Sequence, residues 1–247
     1  RLNYYAVTGL LARVCLYAGQ RENAFNYSTE VIKASNNGIF PFVDRSLVNG
    51  TAQDPDRIFS PEVLFALSDS QRGELFEEYF DPSLAPNMVF RMETDLLEQT
   101  IYGGTGTGGN LDDYRCRSNW ISSGSARYFY KYSDMTESGR IENTMIPLLR
   151  LGEMYLIAAE SQSNSLANGV SYINTLRKNR GVSNLQTLTT TLLQYEYIRE
   201  VYGEGQLFFM YNRMYSSIIR SNSATNNPAP SNAVFVVPLP DTETENR

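Results

Sequence analysis

Residues 144–182 read TMIPLLRLGEMYLIAAESQSNSLANGVSYINTLRKNRGV, and this stretch decides the fold. Pro147 is expected to open a helix, because proline is favoured in a first helical turn. The apolar residues after it recur at helical spacing: Leu148, Leu149, Leu151, Met154, Tyr155, Ile157 and Ala158. A polar break over residues 161–165 leads into a second helical run that ends at Gly181. The stretch therefore predicts a helical hairpin.

The start of the chain predicts a second hairpin, over residues 2–35. Apolar and small residues mark one helix at Tyr5, Ala6, Leu10, Leu11, Val14, Cys15 and Ala18, and another at Ala24, Tyr27, Val31 and Ile32. Gly19 is expected to close the first helix. This helix, turn, helix pattern is typical of a tetratricopeptide unit, although any helical hairpin in a bundle has the same periodicity.

The residues between the hairpins, 38–139, predict an irregular, loop-rich excursion. Strand-like fragments at residues 63–68 and 88–92 lie among Pro, Asn, Asp and Gly, and residues 102–116 (YGGTGTGGNLDDYRC) are expected to be a loop. No Lys-Ser/Thr follows the glycines, so a plain loop is favoured over a phosphate cradle.

A long helical pattern follows the second hairpin and extends to residue 219, interrupted by Gly203 and Gly205. We expect these glycines to let the segment approach the hairpin closely or bend. Residues 220–247 form a polar tail that ends in VFVVPLPDTETENR.

Composition excludes several classes of function. The chain has 247 residues, 42% of them hydrophobic, which is enough for a sizeable core and one domain over residues 1–247. The net charge of -6 argues against a nucleic-acid partner, which needs an excess of Lys and Arg. The absence of histidine excludes His-based triads and imidazole metal ligands.

We expect no metal site and no cofactor. We also expect two idle thiols at Cys15 and Cys116 rather than a disulfide.

The segment PLLRLGEMYLIAAE at 147–160, followed by YINTLRKNRGV at 172–182, resembles the C-terminal part of the SusD/RagB family. These are glycan-capturing lipoproteins on the outer surface of Bacteroidetes. The resemblance extends to a further segment and to the tail, at Arg199, Glu200, Tyr202, Gly203, Glu204, Gly205, Gln206, Phe208, Phe209, Arg213, Pro238, Pro240 and Asp241.

The resemblance implies a mainly α fold, a SusD-like tetratricopeptide scaffold of helical hairpins with a loop-rich excursion. The family's lipid-bearing N-terminal cysteine and first helices have no counterpart here, so we expect a fragment, a shortened form or an unusually short relative. Residues 112–115 (DDYR) match a D-x-R motif and residues 129–132 (FYKY) match a strand, both structural in the family. The stretch between them varies with ligand among relatives, so specificity is expected there.

Trp120 is the only tryptophan, and it lies in that variable stretch beside planar polar side chains. A sugar-binding platform needs a flat aromatic surface with polar groups around it. We therefore predict an exposed site for a neutral or mildly polar oligosaccharide at Trp120, Tyr102, Asn110, Asp112, Arg115 and Asn119. The alternative is that Trp120 anchors the loop to the helices, because a single tryptophan is commonly buried.

Carboxylates on the helices suggest a hydrolase as an alternative. Glu153 and Glu160 share a helix, and Glu200 and Glu204 lie one turn apart, so a pair of them could act as acid and base. However, Glu-Glu and Arg-Glu pairs at this spacing are ordinary helix electrostatics. We favour a structural role, and no catalytic residue is assigned. The resemblance to the SusD/RagB family implies that Arg150 and Glu153 connect the hairpin to its neighbours.

The predicted function is non-catalytic capture of a glycan, or another nutrient, at the cell surface. The partners would be an oligosaccharide or polysaccharide and a SusC-like TonB-dependent transporter. The resemblance implies an outer-membrane protein on the cell-surface side, held by an N-terminal lipid anchor. A peptide-binding tetratricopeptide scaffold is the second hypothesis, and a glycoside hydrolase is the third.

Overall fold

A computed structural model describes residues 2–48, 54–104, 106–137, 139–162, 165–219 and 228–236. Within these ranges the fold is mainly α, as predicted, with ten α-helices and four short strands. The helices are α1 (Tyr4–Tyr17), α2 (Arg21–Asn36), α3 (Arg45–Val48), α4 (Arg72–Tyr79), α5 (Tyr114–Asn119), α6 (Leu151–Glu160), α7 (Val170–Lys178), α8 (Thr190–Val201), α9 (Leu207–Met214) and α10 (Asn232–Phe235). The strands are β1 (Val63–Ser68), β2 (Trp120–Ser123), β3 (Ala126–Phe129) and β4 (Met145–Arg150).

Helices α1 and α2 form the predicted N-terminal hairpin. The Asn3 side chain accepts a hydrogen bond from the Ala6 backbone N–H at 3.0 Å, which caps the start of α1. The chain turns at Gly19, as expected, and α2 returns alongside α1.

Helices α6 and α7 form the second hairpin, and α6 lies at the centre of the fold. Every residue of α6 is buried, and the helix packs against α1, α2, α7 and α8. The two hairpins therefore belong to one scaffold, as predicted. The expected start at Pro147 is wrong, because Pro147 lies in β4 and the helix begins at Leu151. The reason is pairing: Pro147 is opposite Ala66 in an antiparallel ladder between β1 and β4.

The excursion contributes β1, which pairs with β4, and a two-stranded sheet of its own, formed by β2 and β3. The predicted strand at residues 63–68 is β1, whereas residues 88–92 form no strand in the structure. Strands β2 and β3 form a hairpin in which Trp120 lies opposite Phe129, so the strand expected at residues 129–132 already ends at Phe129. The loop expected to reach residue 116 ends earlier, because α5 begins at Tyr114.

The long C-terminal pattern divides at the two glycines. Helix α8 ends at Val201 and α9 begins at Leu207, so Gly203 and Gly205 lie in a turn rather than in a bent helix. The tail residues Pro238, Pro240 and Asp241 lie outside the described residues. No helix in the part of the chain that the structure describes is long and apolar enough to span a bilayer.

Candidate functional site

Trp120 lies inside the fold, so its expected exposure is wrong. The side chain is 2% exposed, and its ring packs 5.0 Å from Phe129 and 4.9 Å from Tyr202, between centroids. Residues opposite each other in an antiparallel pair share one face, and here that face is covered by the turn after α8. Trp120 therefore anchors the β2–β3 hairpin to the helices, which is the alternative considered above.

The structure does not bring the other five predicted residues together on a surface. Tyr102, Arg115 and Asn119 are buried, whereas Asn110 and Asp112 are exposed. Asn110 accepts a hydrogen bond from the Asp112 backbone N–H at 2.8 Å, and Asp112 pairs with Arg117 at 3.1 Å. Ligand binding by these residues stays a prediction, and among them only Asn110 and Asp112 are exposed to solvent.

Arg115 belongs to a network of buried ion pairs. It contacts Asp113 at 2.6 Å, Glu196 at 3.0 Å and Glu200 at 3.1 Å, and all four side chains are at most 1% exposed. The D-x-R motif is therefore structural, because it fixes the excursion to α8. The network joins the excursion, β4, α7 and α8 through Glu62, Asp113, Arg115, Lys131, Arg150, Arg177, Arg180, Glu196, Arg199, Glu200 and Glu204.

Paired arginines favour the ionised forms of Glu196 and Glu200. Burial alone would raise the pKa of Glu200, but the guanidinium groups of Arg180, Arg150 and Arg115 hold it well below its usual value. Burial likewise opposes ionisation of Glu196, yet its arginine neighbours lower its pKa to about 2.

The carboxylates considered for a hydrolase all have cationic partners. Glu153 takes two hydrogen bonds from Arg13, at 2.7 and 2.6 Å, and Glu160 takes two from Arg213, at 2.8 and 2.7 Å. Arg150 contacts Glu200 at 2.9 Å and Glu204 at 2.7 Å. These contacts support the structural role preferred above, including the link that Arg150 makes from β4 to α8.

Metal binding and thiol chemistry have little basis in the described part of the chain. There, no group of three or more Cys, Asp or Glu side chains could hold a metal ion. Cys15 and Cys116 are both buried and free. Burial raises the pKa of Cys116 to about 12, so its thiol stays protonated and unreactive.

A set of aromatic rings on the excursion lies at the surface, and we call it the aromatic surface: Phe76, Tyr79, Phe90, Tyr128 and Tyr130. Two of them are exposed, and Phe76, Tyr128 and Tyr130 are half-buried. Tyr79 and Phe90 are 39% and 59% exposed, and their ring centroids are 5.7 Å apart. Phe76 lies one helical turn before Tyr79, and its ring is 4.8 Å from that of Tyr130.

Strand alternation explains the other half of the aromatic surface. Phe129 points inward against Trp120, so Tyr128 and Tyr130 on either side of it point outward. The Arg91 guanidinium lies 5.4 Å from the Tyr128 ring centroid. Burial and the nearby Asp81 carboxylate raise the pKa of Tyr130, so its hydroxyl remains a donor at neutral pH.

Sequence reasoning missed the aromatic surface because it concentrated on the single tryptophan. The available signal was the run of residues 127–130, RYFY, in which the rings on either side of Phe129 take the opposite side of the strand from it. Tyr79 and Phe90 had no local signal, because their contact depends on the path of the chain between α4 and residue 90.

Comparisons with known proteins agree with this architecture. A SusD superfamily protein from Bacteroides vulgatus superposes with a TM-score of 0.70 at 20% identity, covering 99% of this chain and 57% of that one. A SusD-like carbohydrate binding protein from the same species gives 0.60 at 20% identity, covering 88% and 46%. Surface glycan-binding protein A from Bacteroides uniformis gives 0.58 at 15% identity, covering 86% and 50%.

These likenesses show the SusD-like fold, and the chain spans about half the length of the structures it matches. No curated protein sequence matches the chain. A sequence model of the SusD family matches residues 70–235, which is more than half of the chain. The chain therefore belongs to the SusD family.

Proposed function

We propose that this chain captures a glycan, or another nutrient, at the cell surface without chemically altering it, and binds it on the aromatic surface. The observation that carries the proposal is the exposed pair of aromatic rings, Tyr79 and Phe90, on a scaffold of the SusD family. Relatives of similar fold are described as carbohydrate-binding or surface glycan-binding proteins, which supports this class of ligand.

The chemistry of the aromatic surface suits a sugar. Sugar rings present apolar C–H faces that stack on aromatic rings, and their hydroxyls need donors and acceptors nearby. Tyr79 and Phe90 offer ring faces to solvent, while Arg91, Asp81 and the Tyr130 hydroxyl supply polar groups at the edge. We expect a neutral oligosaccharide and modest affinity spread over several sugar units, because each stack contributes little.

The proposal includes the place of the protein in uptake. We propose residues 1–247 as one SusD-like domain with a tetratricopeptide-type scaffold, part of a lipid-anchored protein on the outer face of the outer membrane. It would pass its glycan to a SusC-like TonB-dependent transporter. Co-purification of the full protein with such a transporter from native membranes would test this step separately from glycan binding.

A glycan array followed by isothermal titration tests the binding step. The double variant Tyr79→Ala/Phe90→Ala should weaken binding about fivefold or more, taking roughly 0.5–1.5 kcal/mol for each aromatic contact. Phe209→Ala is the matched control, since Phe209 is 47% exposed and lies on α9, outside the aromatic surface.

The other outcomes distinguish the alternatives. If the double variant binds as well as the wild type while Asn110→Ala and Asp112→Ala weaken binding, the site lies on the glycine-rich loop. Release of a shortened oligosaccharide would support a hydrolase. Capture of a protein partner with no affinity for any glycan would favour the peptide-binding scaffold.

A further inference from the structure

An open cavity of about 390 Å³ lies where the turn after α1 meets the start of α8 and the end of α9. Its size falls within the range of roughly 300–1,000 Å³ that is usual for small-molecule sites. None of its lining residues belongs to the aromatic surface, so a ligand bound here would be separate from the proposed glycan.

The apolar part of the cavity wall is mainly aliphatic, with the ring of Tyr17 beside it. Leu16 and Leu193 are buried core residues, and Leu166 and Met214 are partly buried beside them. Against these leucine and methionine side chains, a sugar hydroxyl would lose water without gaining a hydrogen bond. The wall therefore favours a ligand with an apolar body.

The charges on the cavity wall do not balance. Glu160 is its only acidic group, and both carboxylate oxygens are already engaged by Arg213, with the Tyr197 hydroxyl donating a third hydrogen bond at 2.7 Å. Arg21 also lines the cavity, is exposed, and makes no ion pair with any residue that the structure describes. Among the described residues, Arg21 is thus an unpaired cation on the cavity wall, although the chain as a whole has a net charge of -6.

We propose that this cavity binds a small monocarboxylate with an aliphatic body. The body contacts the leucine and methionine side chains, and the carboxylate pairs with the guanidinium of Arg21. The exposed hydroxyl of Thr190 is available on the same wall as a further donor. A free organic acid and the C-terminal residue of a peptide present this same chemistry.

Titration of the full chain with N-acetyl-L-leucine and with its uncharged amide tests the proposal. We expect the acid to bind about tenfold or more tightly than the amide, as is typical of a charge-assisted hydrogen bond. Arg21→Gln should lower the affinity for the acid to that for the amide. Arg45→Gln is the matched control, because Arg45 is also exposed and lies on α3, away from the cavity.

Three results would overturn the proposal: no binding of the acid at millimolar concentration, equal binding of acid and amide, or unchanged binding by Arg21→Gln. Circular dichroism verifies that each variant is folded. The tripeptide Ala-Ala-Leu with a free carboxylate identifies the source, since tighter binding than N-acetyl-leucine indicates a peptide end and equal binding a free acid. Arg21→Gln should leave glycan binding unchanged, so this site and the aromatic surface are tested independently.

Discussion

Arg180 holds Glu62 through two parallel hydrogen bonds of 2.7 and 2.6 Å, across 118 residues of sequence. Both side chains are 0% exposed, and the same guanidinium reaches Glu200 at 2.7 Å. Glu62 directly precedes β1, whereas Arg180 follows α7 and Glu200 lies in α8. A bidentate pair of this kind fixes orientation as well as distance. It therefore sets how the excursion lies on the helices that carry it.

Glu62→Gln should destabilise the chain by about 3–5 kcal/mol, because it leaves the buried Arg180 with less compensating charge. Urea unfolding followed by circular dichroism measures the change. Glu77→Gln, at an exposed position on α4, is the control and should change stability by less than about 0.5 kcal/mol. Equal stability of both variants would show that the Arg180–Glu62 pair contributes nothing net.

Trp120→Ala should cost about 3–5 kcal/mol of stability, because it opens a cavity among Phe129, Tyr202 and the residues around them. Trp120→Phe should recover much of this loss. If Trp120 only supports the hairpin, the folded fraction of Trp120→Phe binds glycan as the wild type does. Loss of binding in a fully folded Trp120→Phe protein would restore Trp120 as a ligand contact.

Gly203→Ala should destabilise the chain more than Gly205→Ala. Both glycines have left-handed φ, +75° and +74°, which costs an L-residue about 1–2 kcal/mol. A Cβ on Gly203 would also lie 2.5 Å from the Phe129 ring, whereas one on Gly205 would meet nothing within 4 Å. Thermal and urea unfolding of the two single variants compares them, and equal losses would show that the Phe129 ring moves aside freely.

Stability should fall in acid as Glu196 is protonated. The pKa of Glu196 is about 2 in the folded chain and about 4.5 without its partners, so its contribution is fully present above pH 4.5. It is lost as the pH falls from 4.5 towards 2, and its size is ~3 kcal/mol. Urea unfolding between pH 6 and pH 2.5 should show this slope in the wild type and in Asp112→Asn, an exposed control. Glu196→Gln should show a smaller slope, and an unchanged slope would exclude Glu196 as its source.

The local sequence pattern predicted the helices but not the residues at which they begin and end. The period of the apolar residues located both hairpins, because a helix in a fold of this size must bury one face. Pro147 was placed in a helix because proline suits a first turn, yet its pairing with β1 depends on a strand about 80 residues earlier. The two glycines were expected to bend one long helical segment, whereas their positive φ places them in a turn between two helices.

The sequence by itself determined the mainly α fold, the two hairpins and the likeness to the SusD family, since these rest on periodicity and on local sequence motifs. Only the tertiary structure decided which side chains meet solvent. Trp120 became an anchor because the inward face of its hairpin meets Tyr202, and Tyr79 met Phe90 because the excursion folds back on α4. Such contacts join residues distant in sequence, and neither composition nor spacing specifies them. Which side chains are exposed to solvent is therefore decided only by the folded chain.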